Sequence, residues 1–134
     1  MVEEQLYTPV GLKTLPQSDV HYVPAYGGDQ FHRDSAYHEG TVWSWLLGPY
    51  IDAMVKLDTN KDKIRAVIDN FAYHLNEGGI GSVSEIFDAE PPHHPRGCIA
   101  QAWGVAEILR AIKDHELFNL GIEAVEAKAE TATM

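Results

Sequence analysis

The stretch GGIGSVSEIFDAEPPHHPRGCIAQAW, residues 78–103, lies between two predicted helices and decides how the chain around it folds. A glycine turn leads into Ser84, Glu85 and Ile86, a loop rich in proline and histidine follows, and a hydrophobic helix is predicted to begin near Cys98. Loops of about twenty residues without periodicity are uncommon in compact domains and are usually functional or disordered. The large apolar and aromatic residues of this stretch favour a functional segment.

Three helices are predicted around this loop from apolar residues that recur at helical spacing. The first covers residues 41–57, and Pro49 within it predicts either a kink or a helix that begins just before the proline. The second has Asn60 as its N-cap and Gly78 as a C-terminal glycine. The third covers residues 98–113 and is apolar nearly all round, which predicts burial on most sides.

The remaining segments show little periodicity. Residues 1–41 are punctuated by proline and glycine and are predicted to form an extended, turn-rich arm with a long loop. Residues 42–115 form the helical portion, and residues 116–134 are predicted to be a short helix that frays into a polar tail. No strand alternation or internal repeat stands out, so the predicted fold class is mainly α, with three to four helices and long loops.

Composition limits the classes of partner. The chain has 134 residues, enough for one domain with a hydrophobic core. Its net charge of -10 opposes binding to phosphate backbones, so nucleic acid is not an expected partner. The apolar run of residues 42–57 is interrupted by Ser44, Gly48, Pro49 and Asp52, and the N-terminal residues are neither basic nor strongly apolar. Neither a membrane span nor a signal peptide is therefore predicted.

The single cysteine, Cys98, cannot form an internal disulfide, which makes a reducing cytoplasm the expected compartment. A reactive thiol is one interpretation of Cys98. A small buried hydrophobic residue at the start of the third helix is the favoured one.

The order of the helices predicts where the unusual chemistry gathers. If the first two helices form an antiparallel pair, the loop of residues 26–40 and the loop of residues 78–97 meet at one end of that pair, which we call the rim. The rim loops and the helix start beside them carry Arg33, Asp34, Tyr37, His38, Trp43, Glu85, Asp88, Glu90, His93, His94 and Arg96.

Glu85 lies between Val83 and the pair Ile86 and Phe87, and a carboxylate with apolar neighbours suits a general acid or base. The residues alone favour a plainer role, in which Glu85 caps a turn or pairs with Arg96. Asp88 and Glu90 are interpreted as turn and surface residues.

Aromatic side chains cluster near the rim, and flat rings beside carboxylates and amides suit a small-ligand pocket such as a carbohydrate site. Tryptophan at helical spacing is more often part of a core, so at least one of the three is expected to be only that. The aromatic residues concerned are Trp43, Trp45, Trp103, Tyr26, Tyr37 and Phe87.

Histidines near the rim raise the question of a metal. His32, His38, His93 and His94 could assemble with acidic residues, but no pair has the spacing of a helical zinc motif. Nucleophile motifs and phosphate-binding glycine loops are not found in the sequence either. No metal and no cofactor are predicted.

At these residues the sequence resembles a known family. RDSAYHEGTVWSWLLGPYIDA (residues 33–53) and GGIGSVSEIFDAEPPHHPRGCIAQAWGVAEILRAI (residues 78–112) resemble the C-terminal end of glycogen debranching enzymes of the amylo-α-1,6-glucosidase type. The arm segment TPVGLKTLPQSD resembles the stretch that precedes these motifs, and the likeness covers residues 7–113. Ser44 departs from the family's usual proline and is expected to loosen the helix start.

The resemblance implies an (α/α)6 barrel, a toroid of twelve helices with its active site at one rim. It also implies inverting hydrolysis of the α-1,6-linked glucose left at a glycogen branch, with Glu85 as the general base that activates water. Glycogen or a maltooligosaccharide is the implied partner. The positions that the resemblance and the rim together assign to the sugar pocket are Arg33, Asp34, Tyr37, His38, Trp43, Gln101 and Trp103.

Length conflicts with a complete barrel, because twelve helices need about 400 residues at about 15 per helix. The family's general acid lies upstream of the matched region, so the chain is expected to be a partial toroid that is inactive alone. It would pair with a missing N-terminal portion or self-associate through the third helix. A glucan-binding module without catalysis and a structural helical protein remain the alternatives.

Overall fold

The computed structural model describes residues 1–118 of the chain. Most of the predicted polar tail therefore lies outside the described residues. In chain order the elements are α1 (Val2–Gln5), β1 (Tyr7–Thr8), β2 (Gly11–Lys13), α2 (Gln30–Ala36), β3 (Val42–Trp43), α3 (Leu47–Lys56), α4 (Lys61–Ala72), β4 (Ile86–Phe87), β5 (Pro95–Arg96) and α5 (Ala102–Asp114).

The described part is mainly α, as the sequence predicted, but it has five α-helices rather than three to four, and it also contains a small sheet. Its five strands are antiparallel and follow the order β1-β2-β3-β4-β5. Each strand has two or three residues, too few for an alternating pattern to be read from sequence. The pairing of Trp43 with Ile86 joins the segment after the first rim loop to the centre of the second.

The arm is more ordered than an extended segment. It contains α1, the strands β1 and β2, and α2. Asp29 caps α2, since its side chain accepts a hydrogen bond from the His32 N–H at 3.0 Å. Asp29 was not recognised as an N-cap from the sequence, because prolines and glycines are frequent in that segment.

Pro49 is the third residue of α3, so the second of its two predicted outcomes is confirmed. The first N–H groups of a helix have no intrahelical acceptor, and a proline there removes nothing. Strand β3 and a 3-10 turn, Ser44–Leu46, occupy the positions before it. Ser44 is fully buried, and its hydroxyl donates to the Ser84 carbonyl at 3.1 Å, which anchors this helix start.

Asn60 caps α4 as predicted, because its side chain accepts from the Asp62 N–H at 2.7 Å. The helix ends at Ala72 and continues as a 3-10 turn, Tyr73–Asn76. Gly78 is not the predicted helix-ending glycine, since it lies beyond that turn and its φ is not in the left-handed region. A Cβ at Gly78 would lie 2.8 Å from the Ser84 Oγ, so close packing explains the glycine.

Helix α5 begins at Ala102, four residues later than the start predicted at Cys98. The residues before it run extended against the second rim loop, where the Gln101 N–H donates to the Val83 carbonyl at 2.8 Å. The predicted burial on most sides is also wrong for the described chain, because Trp103 and Leu109 remain 48% and 53% exposed.

The core lies between α3, α4 and α5. Ile51, Ile64 and Ile108 are buried there, and each such side chain contributes about 1.5–3 kcal/mol through its removal from water. A glycine lies at each of two close approaches: a Cβ at Gly48 would be 2.4 Å from Glu107, and one at Gly104 would be 2.5 Å from Ser44. None of the helices within residues 1–118 is long and apolar enough to cross a membrane.

Candidate functional site

The two rim loops meet, as the order of the helices predicted. The Tyr26 N–H donates to Asp88 Oδ1 at 2.8 Å, and the Ala89 N–H donates to the Pro24 carbonyl at 2.7 Å. The Tyr37 hydroxyl donates to Glu85 Oε1. Strand pairing between β3 and β4 therefore brings the predicted site segments into direct contact.

Glu85 lies at the centre of this contact. Its side chain is half-buried beside the buried residues Val83 and Ile86. Oε1 accepts from the Tyr37 hydroxyl, and Oε2 accepts from the Cys98 N–H at 2.9 Å. The carboxylate therefore has a donor on each oxygen, one from each rim loop.

Gly97 makes room for this arrangement. A Cβ there would lie 2.4 Å from Glu85 Oε2, and its φ of 65° is in the left-handed region. Sequence reasoning missed Gly97 and the Cys98 amide as part of the site. The available signal was a glycine in the loop directly before the third helix.

The alternative in which Glu85 pairs with Arg96 is wrong. Arg96 instead donates to Asp88 Oδ2 from Nε at 3.0 Å and from Nη2 at 2.8 Å. Asp88 is buried and not the surface residue predicted. It links two segments of the rim by also accepting from the Tyr26 amide.

Tyr37 stays protonated beside Glu85. Burial, and after it the hydrogen bond to the Glu85 carboxylate, raise the pKa of Tyr37 to about 12. At neutral pH the phenol therefore remains a hydrogen-bond donor to the carboxylate.

Trp43 is buried next to Tyr37 and holds it through a hydrogen bond and ring packing. Its ring is 6% exposed, and its Nε1 donates to the Tyr37 carbonyl at 3.1 Å. The exposed residue His38 stacks on the indole at 5.3 Å between centroids and 7° between planes. Tyr37 packs against the same indole edge-on at 4.9 Å. His38, rather than Trp43, presents its ring to solvent.

The residues at the start of α5 form a second aromatic group. Trp103 stacks on Trp45 at 4.2 Å between centroids and stays half exposed. The Gln101 Oε1 is buried and has no hydrogen-bond partner within residues 1–118. These groups follow closely in sequence on Cys98, whose amide holds Glu85.

Arg33 and Asp34 lie on α2, away from the hydrogen bonds of Glu85. Arg33 donates to the Gly28 carbonyl at 2.6 Å. Asp34 is exposed and makes no hydrogen bond or ion pair with another described residue. Their predicted role at the sugar pocket stays a prediction.

Three further predictions concern a metal site, Cys98 and Glu90. Within residues 1–118 no group of three histidine, cysteine or acidic side chains is placed to hold a metal ion. Cys98 is exposed, so its interpretation as a buried hydrophobic residue is wrong. Glu90 anchors the arm, because it accepts from Tyr22 at 2.5 Å and from Lys13 at 3.2 Å.

An open cleft of about 450 Å³ adjoins the site, which is within the size range of small-ligand pockets. Its lining residues are Glu77, Gly78, Ser84, Pro92, His94, Pro95, Arg96, Gly97 and Ile99.

Comparison with known proteins identifies the family. The model of the amylo-alpha-1,6-glucosidase family matches residues 1–110, and the chain belongs to that family. Among characterised relatives, the glycogen debranching enzyme of Saccharomyces cerevisiae is 37% identical over 59 residues. That match covers 40% of this chain and 4% of the yeast protein, so the chain spans a small part of its relative. Both findings confirm the resemblance to the C-terminal part of glycogen debranching enzymes.

Proposed function

We propose that this chain forms the C-terminal part of a glycogen debranching glucosidase domain and supplies the general base, Glu85. The reaction is inverting hydrolysis of the α-1,6-linked glucose at a branch stub. The observation that carries the proposal is the Glu85 carboxylate, held at the rim by one donor on each oxygen.

The geometry leaves Glu85 free to act on water. A carboxylate offers about four lone-pair sites, and Tyr37 and the Cys98 amide use one on each oxygen. A water held at a remaining site gives its proton to Glu85 while its oxygen bonds to the anomeric carbon. The glycosidic bond breaks as a carboxylic acid from outside this chain protonates the leaving oxygen. In an inverting pair the acid and base carboxyl groups lie about 6.5–9.5 Å apart.

The sugar pocket is assigned to the surrounding side chains Tyr37, His38, Trp43, Gln101 and Trp103, with Arg33 and Asp34 at its edge. The Gln101 Oε1 supports this assignment, since within the described residues it has no donor and a sugar hydroxyl could supply one. Trp43 acts mainly by holding Tyr37 and His38 in place.

The partial toroid and its missing portion form the second half of the proposal. Residues 42–115 belong to the barrel, and residues 1–41 form the arm and rim loop. The exposed α5 residues Trp103, Val105 and Leu109 give an apolar face that an N-terminal portion of the domain would cover. The chain acts on glycogen in the cytoplasm, where the exposed thiol of Cys98 stays reduced.

The test combines binding with reconstituted hydrolysis. The chain is titrated with maltooligosaccharides by calorimetry, then mixed with the N-terminal portion of a relative's glucosidase domain and a glucan bearing α-1,6-linked glucose stubs. Glucose release should fall about 100- to 10,000-fold in Glu85→Gln, because the general base is lost. Glu39→Gln, which neutralises another carboxylate in the first rim loop, should stay within about twofold of the unchanged chain.

The other results of these binding and hydrolysis measurements contradict part or all of the proposal. Unchanged hydrolysis by Glu85→Gln refutes the base assignment. Saturable glucan binding without hydrolysis on any mixing favours the binding module, and the absence of both binding and hydrolysis refutes the proposed function.

A further inference from the structure

We infer that His74 is a positioning residue for Glu85, an assignment that rests on the proposed role of Glu85 as the base. His74 lies in the 3-10 turn Tyr73–Asn76, in a segment of the chain that sequence reasoning did not single out. Its side chain is 0% exposed, which is unusual for a titratable residue in a short turn.

The hydrogen bonds of His74 fix its tautomer. The Ser84 N–H donates to His74 Nε2 at 3.0 Å, so Nε2 carries no proton. In the neutral ring the proton is then on Nδ1, which lies 3.2 Å from Glu77 Oε2 and donates to it. A buried imidazole with both nitrogens in use has one orientation.

Packing holds the ring in that orientation. Its face and edge contact two phenylalanines: Phe87 lies edge-on at 4.6 Å between centroids, and Phe71 lies at 5.9 Å. Phe87 belongs to β4, the strand that begins directly after Glu85. The imidazole therefore lies between the end of α4 and the strand that directly follows the base.

The peptide groups around Glu85 are held at three points. His74 accepts from the Ser84 N–H, the Ser44 hydroxyl donates to the Ser84 carbonyl at 3.1 Å, and the Glu85 N–H donates to the Cys98 carbonyl at 2.9 Å. His74 supplies the first of these contacts and is the only one of the three partners on the α4 side. Fixing the backbone on both sides of Ser84 fixes the direction in which the next side chain leaves the chain.

An apolar residue at position 74 would fill the space of the imidazole but could not accept a hydrogen bond. Leucine at position 74 would pack against Phe71 and Phe87, yet it would leave the buried Ser84 N–H without an acceptor. The peptide would then turn to find another partner, and the Glu85 carboxylate would shift away from the Cys98 amide. The distinction between filling and positioning is therefore testable with two substitutions.

The first experiment needs no activity. In the 15N-labelled chain, long-range proton–nitrogen spectra should show His74 Nε2 without a proton and Nδ1 with one. Amide exchange then follows Ser84, which reports the histidine contact, and Cys98, which reports the position of Glu85. A protonated Nε2 in the unchanged chain would overturn the inference without any variant.

The variants separate positioning from stability. His74→Leu should speed exchange of both the Ser84 and Cys98 amides by about tenfold or more relative to α4 core amides. His74→Gln, whose side-chain oxygen can accept from Ser84, should restore both within about threefold. Tyr73→Ala, at an exposed position of the same turn, is the matched control and should change neither.

Faster exchange at Ser84 with Cys98 unchanged would mean that His74 stabilises the turn but does not position Glu85, and the inference would fail. If His74→Leu does not fold, the His74→Gln result and the tautomer of the unchanged chain still decide it.

The second experiment uses the reconstituted hydrolysis. By analogy with the outer partners of metal ligands, whose loss typically costs 10- to 100-fold, kcat should fall by about that factor in His74→Leu while KM changes less than about threefold. His74→Gln should recover most of kcat. Hydrolysis that His74→Leu leaves intact refutes the inference but not the base, whereas no hydrolysis by any chain refutes the proposed function and leaves amide exchange to judge His74.

Discussion

At the scale of single residues, Gly97 decides whether Glu85 can lie where it does. Glycine is required at this position for two separate reasons. Its φ of 65° is left-handed, and a Cβ there would lie 2.4 Å from Glu85 Oε2. At Gly81 only the left-handed φ requires glycine, because φ is 72° and no atom lies within 4 Å of an added Cβ. A comparison of substitutions at Gly97 and Gly81 therefore distinguishes the effect of backbone strain from the effect of crowding against Glu85.

We expect Gly97→Ala and Gly81→Ala each to lower the free energy of unfolding by about 1–2 kcal/mol, because alanine is strained at positive φ. Only Gly97→Ala should also displace the carboxylate and speed exchange of the Cys98 amide. Urea denaturation and amide exchange measure the two effects. Equal exchange at Cys98 in both variants would show that Gly97 serves the backbone only.

Tyr37 provides a pH test of the same site. Its folded pKa of about 12 exceeds the ordinary value of about 10, so its contribution to stability is complete below pH 10 and is lost as pH rises through 12. The 13C resonance of its phenol carbon should titrate near pH 12, above the ordinary tyrosine pKa of about 10. Tyr37→Phe identifies the resonance, and titration near pH 10 would contradict the contact with Glu85.

At the scale of elements, α3 and α5 are joined by charge as well as by apolar packing. Arg110 donates to both oxygens of Asp52, at 2.8 Å and 3.2 Å, and also contacts Glu107. His115 lies 2.7 Å from the same Asp52 carboxylate. Hydrogen bonding from Arg110 is the main cause that lowers the pKa of Asp52.

We expect Asp52→Asn to lower the free energy of unfolding by about 1–2 kcal/mol at neutral pH, since a partly exposed bidentate pair is lost. Because the folded pKa of Asp52 is depressed, its contribution is present above the unfolded value of about 3.9 and is lost as pH falls through the folded pKa. The difference from the unchanged chain should therefore shrink in acid. Asp69→Asn, an exposed position on α4, is the control, and equal losses in both variants would contradict a stabilising role for the Asp52–Arg110 pair.

At the scale of the whole molecule, α5 leaves an apolar face uncovered. The buried side of the helix packs on α3 and on the 3-10 turn before it, with Gly104 beside Ser44 and Ile108 in the core, while Trp103, Val105 and Leu109 remain exposed. Exposed apolar patches of this kind mark interfaces, and the chain matches only a small part of its yeast relative. On the proposed function, this face is the one that an N-terminal portion of the domain would cover.

We expect the isolated chain to self-associate at tens of micromolar in moderate salt, which screens its net charge of -10. Leu109→Lys should give a monomer, whereas Val20→Lys, at an exposed position in the arm, should not alter association. Equilibrium sedimentation measures both. A clean monomer of the unchanged chain would show that the α5 face does not bind a second copy.

Local signals predicted a good part of this fold. The Asn60 cap and the stripe of α4 follow from contacts within one helical turn, which neighbouring residues determine. A helix start just before Pro49 was one of two predicted outcomes, and the structure decided between them. The meeting of the two rim loops followed from helix order alone. The sheet could not be predicted in the same way, because its strands of two or three residues are held by partners distant in sequence.

The amino-acid sequence alone establishes the family, the mainly α class and the capped helix α4, and it singles out Glu85 as the carboxylate of interest. Each of these depends on local periodicity or on a long motif. The packing of distant segments was needed to see which groups hold Glu85, that α5 begins at Ala102, and that His74 accepts a hydrogen bond from the Ser84 N–H. The reason is physical: a hydrogen bond between residues far apart in the chain depends on how the backbone packs, and no short stretch of sequence records it.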